Sequence, residues 1–413
     1  MVPDYSELPQ KDPTLIKSLQ GHKDRVTKAI FHPSLKQVIS SSNDGLIFAW
    51  GLRPNARPNK FAGHKGPVTD VAVNDRGTLI ASCSRDQTVR IWSNNASAAC
   101  TIMKGHSAPV KSIAFNSDGS LLVSSGDDKL VKIWDVEKRK FIRSFTGGKG
   151  GDKDDKKGHQ NWVRSAQFSL DSRMVASGSD DRTVKLWDVV HADLIHTFND
   201  HAGSVTDVKY HPDGSCLASC SADKKIKIFD VRSQRLLQHY DAHTEGVNSV
   251  SFHSNGKYLV STSDDSTVKI WDLRRGQIMY TLFGHEGPST TATFSPLGDF
   301  LLTGGKDQNI VIWSTNLNEN ITEELYGIQP ARIDTDIYVT DKPEIKRLPA
   351  DDPKKKDNKD KATASAKAGP SGISAKAVFT STKKPDETEE KPQIMGNKEQ
   401  TGPTYKMLRP EVK

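Results

Sequence analysis

Seven histidines in this chain keep the same company. His22, His64, His106, His159, His201, His243 and His285 each stand 18 residues before a hydroxyl side chain, 22 before an aspartate and 28 before an aromatic. In the fourth copy these are Ser177, Asp181 and Trp187. The histidines are 42 residues apart throughout, except for 53 between His106 and His159. A period of this length marks a supersecondary unit repeated in space, and any fold proposed for the chain must contain that unit seven times.

Within a repeat the local pattern is that of short strands. The stretch SGSDDRTVKLWD (Ser177–Asp188) places an Asp-containing turn before the alternating run Thr183–Trp187, as a half-buried strand requires. VTDVAV at Val68–Val73 and VNSVSF at Val247–Phe252 alternate in the same way. The four spaced residues are chemically matched. An ionised carboxylate only accepts hydrogen bonds, an indole only donates, and imidazole and hydroxyl do both. Together His159, Ser177, Asp181 and Trp187 are expected to form one buried network that holds a blade rigid when every member is satisfied.

Gly-His at Gly21, Gly63, Gly105, Gly158 and Gly284, and Trp-Asp at Trp134, Trp187 and Trp271, make residues 14–316 resemble the WD-repeat family. The resemblance implies an all-β fold, a seven-bladed propeller of four-stranded blades. The run TLIKSL (Thr14–Leu19) precedes the first Gly-His, and no equivalent run follows Trp313 before another one. It is therefore expected to complete the blade of Trp313 and close the ring, which removes an exposed sheet edge. Residues 1–13 read as irregular, 317–330 as a short rim segment with helical potential, and 331–413 as a low-complexity, disordered tail.

Ser, His and Asp together also spell a hydrolytic triad. Such a triad needs one exposed serine beside one activated histidine and an oxyanion hole, whereas seven equivalent copies, each tied to an aromatic, fit structural repeats. No enzyme activity, cofactor, metal or small-molecule substrate is expected. No apolar run approaches the length of a membrane span, and the first residues lack the apolar core of a signal peptide. The four cysteines do not form a C-x-x-C pair and suit a reducing cytoplasm. Net charge is +7, and residues 317–413 carry 18 basic and 17 acidic side chains, so the excess sits on the repeats. That favours acidic partners, but it is too dilute for a nucleic-acid interface.

Three repeats depart from the pattern: Trp50 lacks a following Asp, Phe229 stands in place of Trp, and Ser289 replaces a valine common to the other six. The long interval contains GGKGGDKDDKK (147–157), an inserted loop without apolar residues. Beside it is the best candidate for a partner surface. Three residues past each histidine the repeats carry Arg25, Pro67, Pro109, Trp162, Ser204, Gly246 and Pro288, only one of them a large aromatic. Lys111 and Arg164 adjoin it, and Lys149, Lys153, Lys156 and Lys157 lie in the insertion. Tryptophan and arginine are the residue types that dominate interface hot spots.

Several phrases are more specific than the repeat signature. QNWVRSAQFS (Gln160–Ser169), RLLQHYDAH (Arg235–His243) and MYTLFGHEGPSTTATFS (Met279–Ser295) are similar to the centriolar WD-repeat proteins of the proteome of centriole protein one group. That resemblance implies a cytoplasmic, cytoskeletal scaffold of centrioles and basal bodies that supports cilium formation, with tubulin or microtubule-associated proteins as partners. The C-terminal coiled coil usual in that group is not evident in residues 341–413. The alternative is an adaptor subunit of another complex, of ribonucleoprotein or ubiquitin-ligase type.

Overall fold

A computed structural model describes residues 12–53, 56–94, 100–146 and 158–317. The expected features at 1–11, 147–157 and 318–413 lie outside the described residues. The described residues form 28 strands in seven four-stranded antiparallel sheets. The chain is a seven-bladed propeller.

Six blades run from the central channel outward in chain order, the seventh takes its outermost strand from Thr14–Leu19, and in all seven the innermost strand starts four residues after the cluster histidine. Six of these strands begin with a fully buried valine (Val26, Val68, Val110, Val163, Val205 and Val247), which packs where one blade meets the next. The third strand of each blade carries the aromatic, and Trp134, Trp187, Phe229 and Trp313 are essentially without solvent contact. The apolar core is divided into seven clusters, most of them drawing on two neighbouring blades. Ala176, Leu186 and Phe198 of the fourth blade, for instance, pack with Val205, Leu217 and Phe229 of the fifth. A blade alone would expose half of its core, so each is stabilised by its neighbours.

Closure is made by the two ends of the repeat region. Thr14–Leu19 pairs antiparallel with Ile310–Ser314, in a register that sets Leu15 against Trp313 and Leu19 against Ile310. Leu19 is buried with Ile310 and Ile312. The seam is also bonded along the inner strands, where Thr290 donates to the Val26 carbonyl at 2.7 Å and Thr293 to the Ala29 carbonyl at 2.9 Å. Asn316 caps it by donating to the Asp12 carbonyl at 2.8 Å.

The seam strand should be indispensable. Deleting residues 1–20 removes Leu19 from the core, a loss that alone costs about 2–5 kcal/mol, and exposes the edge of Ile310–Ser314. Thermal unfolding of the truncated chain should show a lower melting temperature, and an unchanged one would refute this account of closure.

Candidate functional site at the channel mouth

The spaced residues meet in every blade. In the fourth, His159 Nδ1 lies 2.8 Å from Asp181 Oδ2 and His159 Nε2 lies 2.7 Å from Ser177 Oγ. Trp187 Nε1 donates to the same Ser177 oxygen at 2.8 Å. The indole can only donate, so the serine proton is directed to His159 Nε2, and His159 Nδ1–H donates to Asp181. Asp181 also accepts from the Gln160 and Thr183 backbone amides at 2.9 and 3.0 Å and from the Thr183 hydroxyl at 2.6 Å. These bonds fix the tight turn in which Arg182 takes a left-handed φ of 70°, a conformation that costs an L-residue about 1–2 kcal/mol.

This is the bonding order of a hydrolytic triad, but its nucleophile is sealed. Ser40, Ser82, Ser124, Ser177, Ser219, Ser261 and Thr303 all have 0% exposure, so no substrate carbonyl can reach these hydroxyls. Blade five retains the path without an indole: Ser219 stays 2.7 Å from His201, and Phe229 packs against Phe198 with ring centroids 4.3 Å apart. Blade seven's Ser289 is buried with an unpartnered hydroxyl, a small energetic penalty where blade seven meets blade six. Cys83 and Cys220 are fully buried free thiols, and burial pushes both pKa values up.

The inner rim carries a second repeated device. Thr27, Thr69 and Thr206 donate to the carbonyls of Val68, Val110 and Val247 in the next blade at 2.9, 2.6 and 2.5 Å. Asn248 does the same to Ser289 at 2.9 Å, and Thr290 completes the pattern at Val26. The two remaining positions are Lys111 and Arg164, on adjacent blades. Neither makes this link. Lys111 Nζ instead stands 3.3 Å from Asp127, and Arg164 grips Asp180 through two bonds of 2.8 and 2.7 Å. The pairing with Asp180 pushes the Arg164 pKa up.

Both cations lie against one ring. Lys111 Nζ is 5.7 Å and the Arg164 guanidinium 5.6 Å from the Trp162 centroid, within cation–π range. Trp162 is nevertheless 44% exposed. The structure thus brings together Trp162, Lys111 and Arg164. Lys149, Lys153, Lys156 and Lys157 lie outside the described residues. The positive sector anticipated from Lys111 and Arg164 is locally neutral, because each cation has its own carboxylate. Asp127 and Asp180 escaped sequence reasoning, although a signal existed. The residue before the cluster aspartate is acidic in blades three, four and six and is Asn43, Arg85, Ala222 or Lys306 elsewhere.

At the inner rim a pocket of about 90 Å³ is lined by Lys28, Asp70, Arg164, Asp207 and Lys209 among others, far smaller than an ordinary ligand pocket. Asp207 is held there by Ser165 and Ser249 at 2.8 and 3.0 Å. Among the described residues no group of three or more His, Cys, Asp or Glu could hold a metal ion, and no helix is long and apolar enough to cross a membrane.

Comparison with known proteins places these features in a family context. Residues 13–51, 57–93 and 98–135 match the model described as WD domain, G-beta repeat, and residues 151–325 match that of the WDR36/Utp21 second beta-propeller domain. Among curated proteins, a 52-residue stretch is 46% identical to the probable E3 ubiquitin ligase complex SCF subunit scon-2 of Neurospora crassa. It is likewise 46% identical to the subunit sconB of Talaromyces stipitatus and 44% to that of Emericella nidulans. Each match takes in 13% of this chain and spans 8% of the relative's length.

The cluster sets an acid limit on stability. Burial holds His159 below its ordinary pKa, and its contacts hold Asp181 well below the carboxylate range. Both folded values are depressed, so both contributions are complete above the unfolded pKa values and are lost as pH falls, for histidine from about 6.5 and for aspartate from about 3.9. Asp181→Ala strands the His159 and Gln160 donors and should cost about 1–3 kcal/mol in denaturant unfolding at neutral pH. Unchanged stability would contradict the network reading.

Proposed function

The chain belongs to the WD-repeat family of β-propellers, and from that premise we propose that it is a non-enzymatic scaffold that captures a protein partner at the mouth of blades three and four. One observation carries this reading: Trp162 is exposed yet held between two cations that are themselves anchored by Asp127 and Asp180. An aromatic that is already ordered loses little entropy on binding, which is the property of an interface anchor.

We further propose centrioles and basal bodies as the place of action, with tubulin or an acidic microtubule-associated protein as partner and support of cilium formation as the outcome. The support is the likeness of the Gln160–Ser169 phrase, which contains Trp162 and Arg164 themselves, to centriolar WD-repeat proteins. Since Lys111 and Arg164 are already paired, desolvation of Trp162 supplies most of the affinity there. Lysines of the insertion supply longer-range attraction that salt weakens. A second reading, an adaptor subunit of a ubiquitin-ligase complex, draws on the names of the curated relatives, whose likeness extends over little more than one repeat.

Fluorescent tagging of the full chain separates the readings: puncta at centrioles support the first, and diffuse or nuclear signal contradicts it. In the same cells Trp162→Ala with Arg164→Ala should disperse the signal while the melting curve stays near that of the parent. Loss of a hot-spot aromatic corresponds to about 2 kcal/mol or more, roughly a thirtyfold weaker complex. Normal recruitment of the folded double variant would rule out this mouth as the docking site.

A further inference from the structure

The net charge is not spread evenly over the ring. Residues 22–62, the first blade, carry seven Lys and Arg against two Asp, a net +5 where the whole chain has +7. Both carboxylates belong to the cluster face. Asp44 is bonded to His22 and to the Lys23 amide, and Asp24 accepts from the Arg25 amide in the same loop. Successive strands of a blade run in opposite directions, so the connections after Phe31 and after Gly51 emerge on the other face. There, and at the start of the outermost strand, blade one carries Lys36, Arg53, Arg57 and Lys60, all exposed.

These cations stand alone because one residue is missing. In blades three to six the residue after the cluster aromatic is Asp135, Asp188, Asp230 or Asp272, and it holds the turn that follows. Asp135 accepts from the Lys138 amide at 2.8 Å, and Asp188 from those of Val190 and His191 at 2.7 and 2.8 Å. Two of them also pair with a cation of their own turn, Asp135 with Lys138 at 3.3 Å and Asp272 with Arg275 at 3.8 Å. Blade one has Gly51 in that place. Its turn is closed by backbone bonds, with the Leu52 amide donating to the Lys36 carbonyl at 3.0 Å and the Ala56 amide to that of Arg53 at 3.3 Å. Among the described residues none of Lys36, Arg53, Arg57 and Lys60 lies within ion-pair distance of a carboxylate. The matching first loops of the neighbouring blades each bring one carboxylate. Asp75 of blade two is followed by Arg76, and Asp299 of blade seven acts on His253 of blade six.

We propose that this face of blade one docks an acidic segment of a partner protein, with Arg53 and Arg57 as carboxylate clamps and Lys36 and Lys60 as flanking charges. The inference does not rest on the Trp162 mouth, which lies on the cluster face. Arginine presents a planar fork that meets a carboxylate through two hydrogen bonds, and the sequence Arg-Pro-Asn occurs twice here, at Arg53 and Arg57. A single exposed ion pair is weak, but a segment with several carboxylates engages these cations together, each contact raising the effective concentration for the next. Nucleic acid is the less suitable polyanion. Bases bind by stacking on aromatic rings, and among the described residues no exposed large apolar or aromatic side chain lies in blade one. The same lack leaves nothing to insert into a lipid surface.

The test uses the full chain and a fluorescently labelled oligoglutamate peptide, titrated at low and at physiological ionic strength. Binding should be evident at low salt and weaken as the Debye length falls to about 8 Å. The combined variant Lys36→Gln, Arg53→Gln, Arg57→Gln and Lys60→Gln should weaken it about tenfold or more. Lys65→Gln, Arg85→Gln, Lys129→Gln and Lys306→Gln together remove the same charge from exposed positions of the cluster face, and should change it less than about twofold. If the first variant proves unfolded, carbodiimide coupling on the parent chain decides the matter. The peptide's carboxylates should then form amide bonds to Lys36 and Lys60 in preference to Lys65 and Lys306. Equal weakening by both variants, no binding at low salt, or coupling without preference would overturn the inference. Tighter binding of a single-stranded oligonucleotide of equal charge, lost in the first variant, would overturn it in favour of nucleic acid.

Discussion

The structure depends on ring closure. Four-stranded blades of this kind cannot bury both faces alone, and a linear stack of seven would leave an open blade at each end. Here Thr14–Leu19 joins Ile310–Ser314 and makes the first blade a neighbour of the seventh, so all seven interfaces are of one kind. The cluster of histidine, hydroxyl, aspartate and aromatic serves the same end within a blade. It ties the incoming loop to the turn before the third strand and keeps that turn in a conformation an L-residue resists. With closure and clusters in place, the loops on the cluster face sit on a stiff frame.

Function is then a matter of where the repetition fails. A threonine or asparagine at the inner rim of five blades reaches to the next blade and contributes to the frame. Lys111 and Arg164 give up that link, on neighbouring blades, and hold Trp162 instead. The same blade carries the 11-residue insertion that ends just before Gly158. Two departures with different local causes therefore fall on one sector. A buried network repeated seven times with its hydroxyls sealed is, by contrast, architecture.

Much of this was legible before any coordinates. The period, the cluster and the N-terminal closing strand follow from spacing and from a strand without a partner, because both are properties of order along the chain. The proximity of Trp162, Arg164 and Lys111 follows from equal offsets in adjacent repeats. The 22-residue spacing already assigned Asp181 to the cluster; what could not be read is where its neighbour Asp180 goes. Asp181 turns into the cluster and Asp180 out to Arg164, the residue at the register shift between Val163 and Ser165 of the innermost strand. The neutral character of the mouth depends on that detail.

The claim that the mouth presents an ordered aromatic can be tested on the protein alone, by nitrogen-15 relaxation of the tryptophan indole groups. Trp187, sealed in its cluster, provides the rigid reference within the same molecule. If Lys111 and Arg164 clamp Trp162 as described, its indole order parameter should approach that of Trp187, near the value of about 0.85 typical of rigid sites. It should fall sharply in Arg164→Ala. A value below about 0.6 in the parent chain, typical of a freely moving surface group, would contradict the account at its centre.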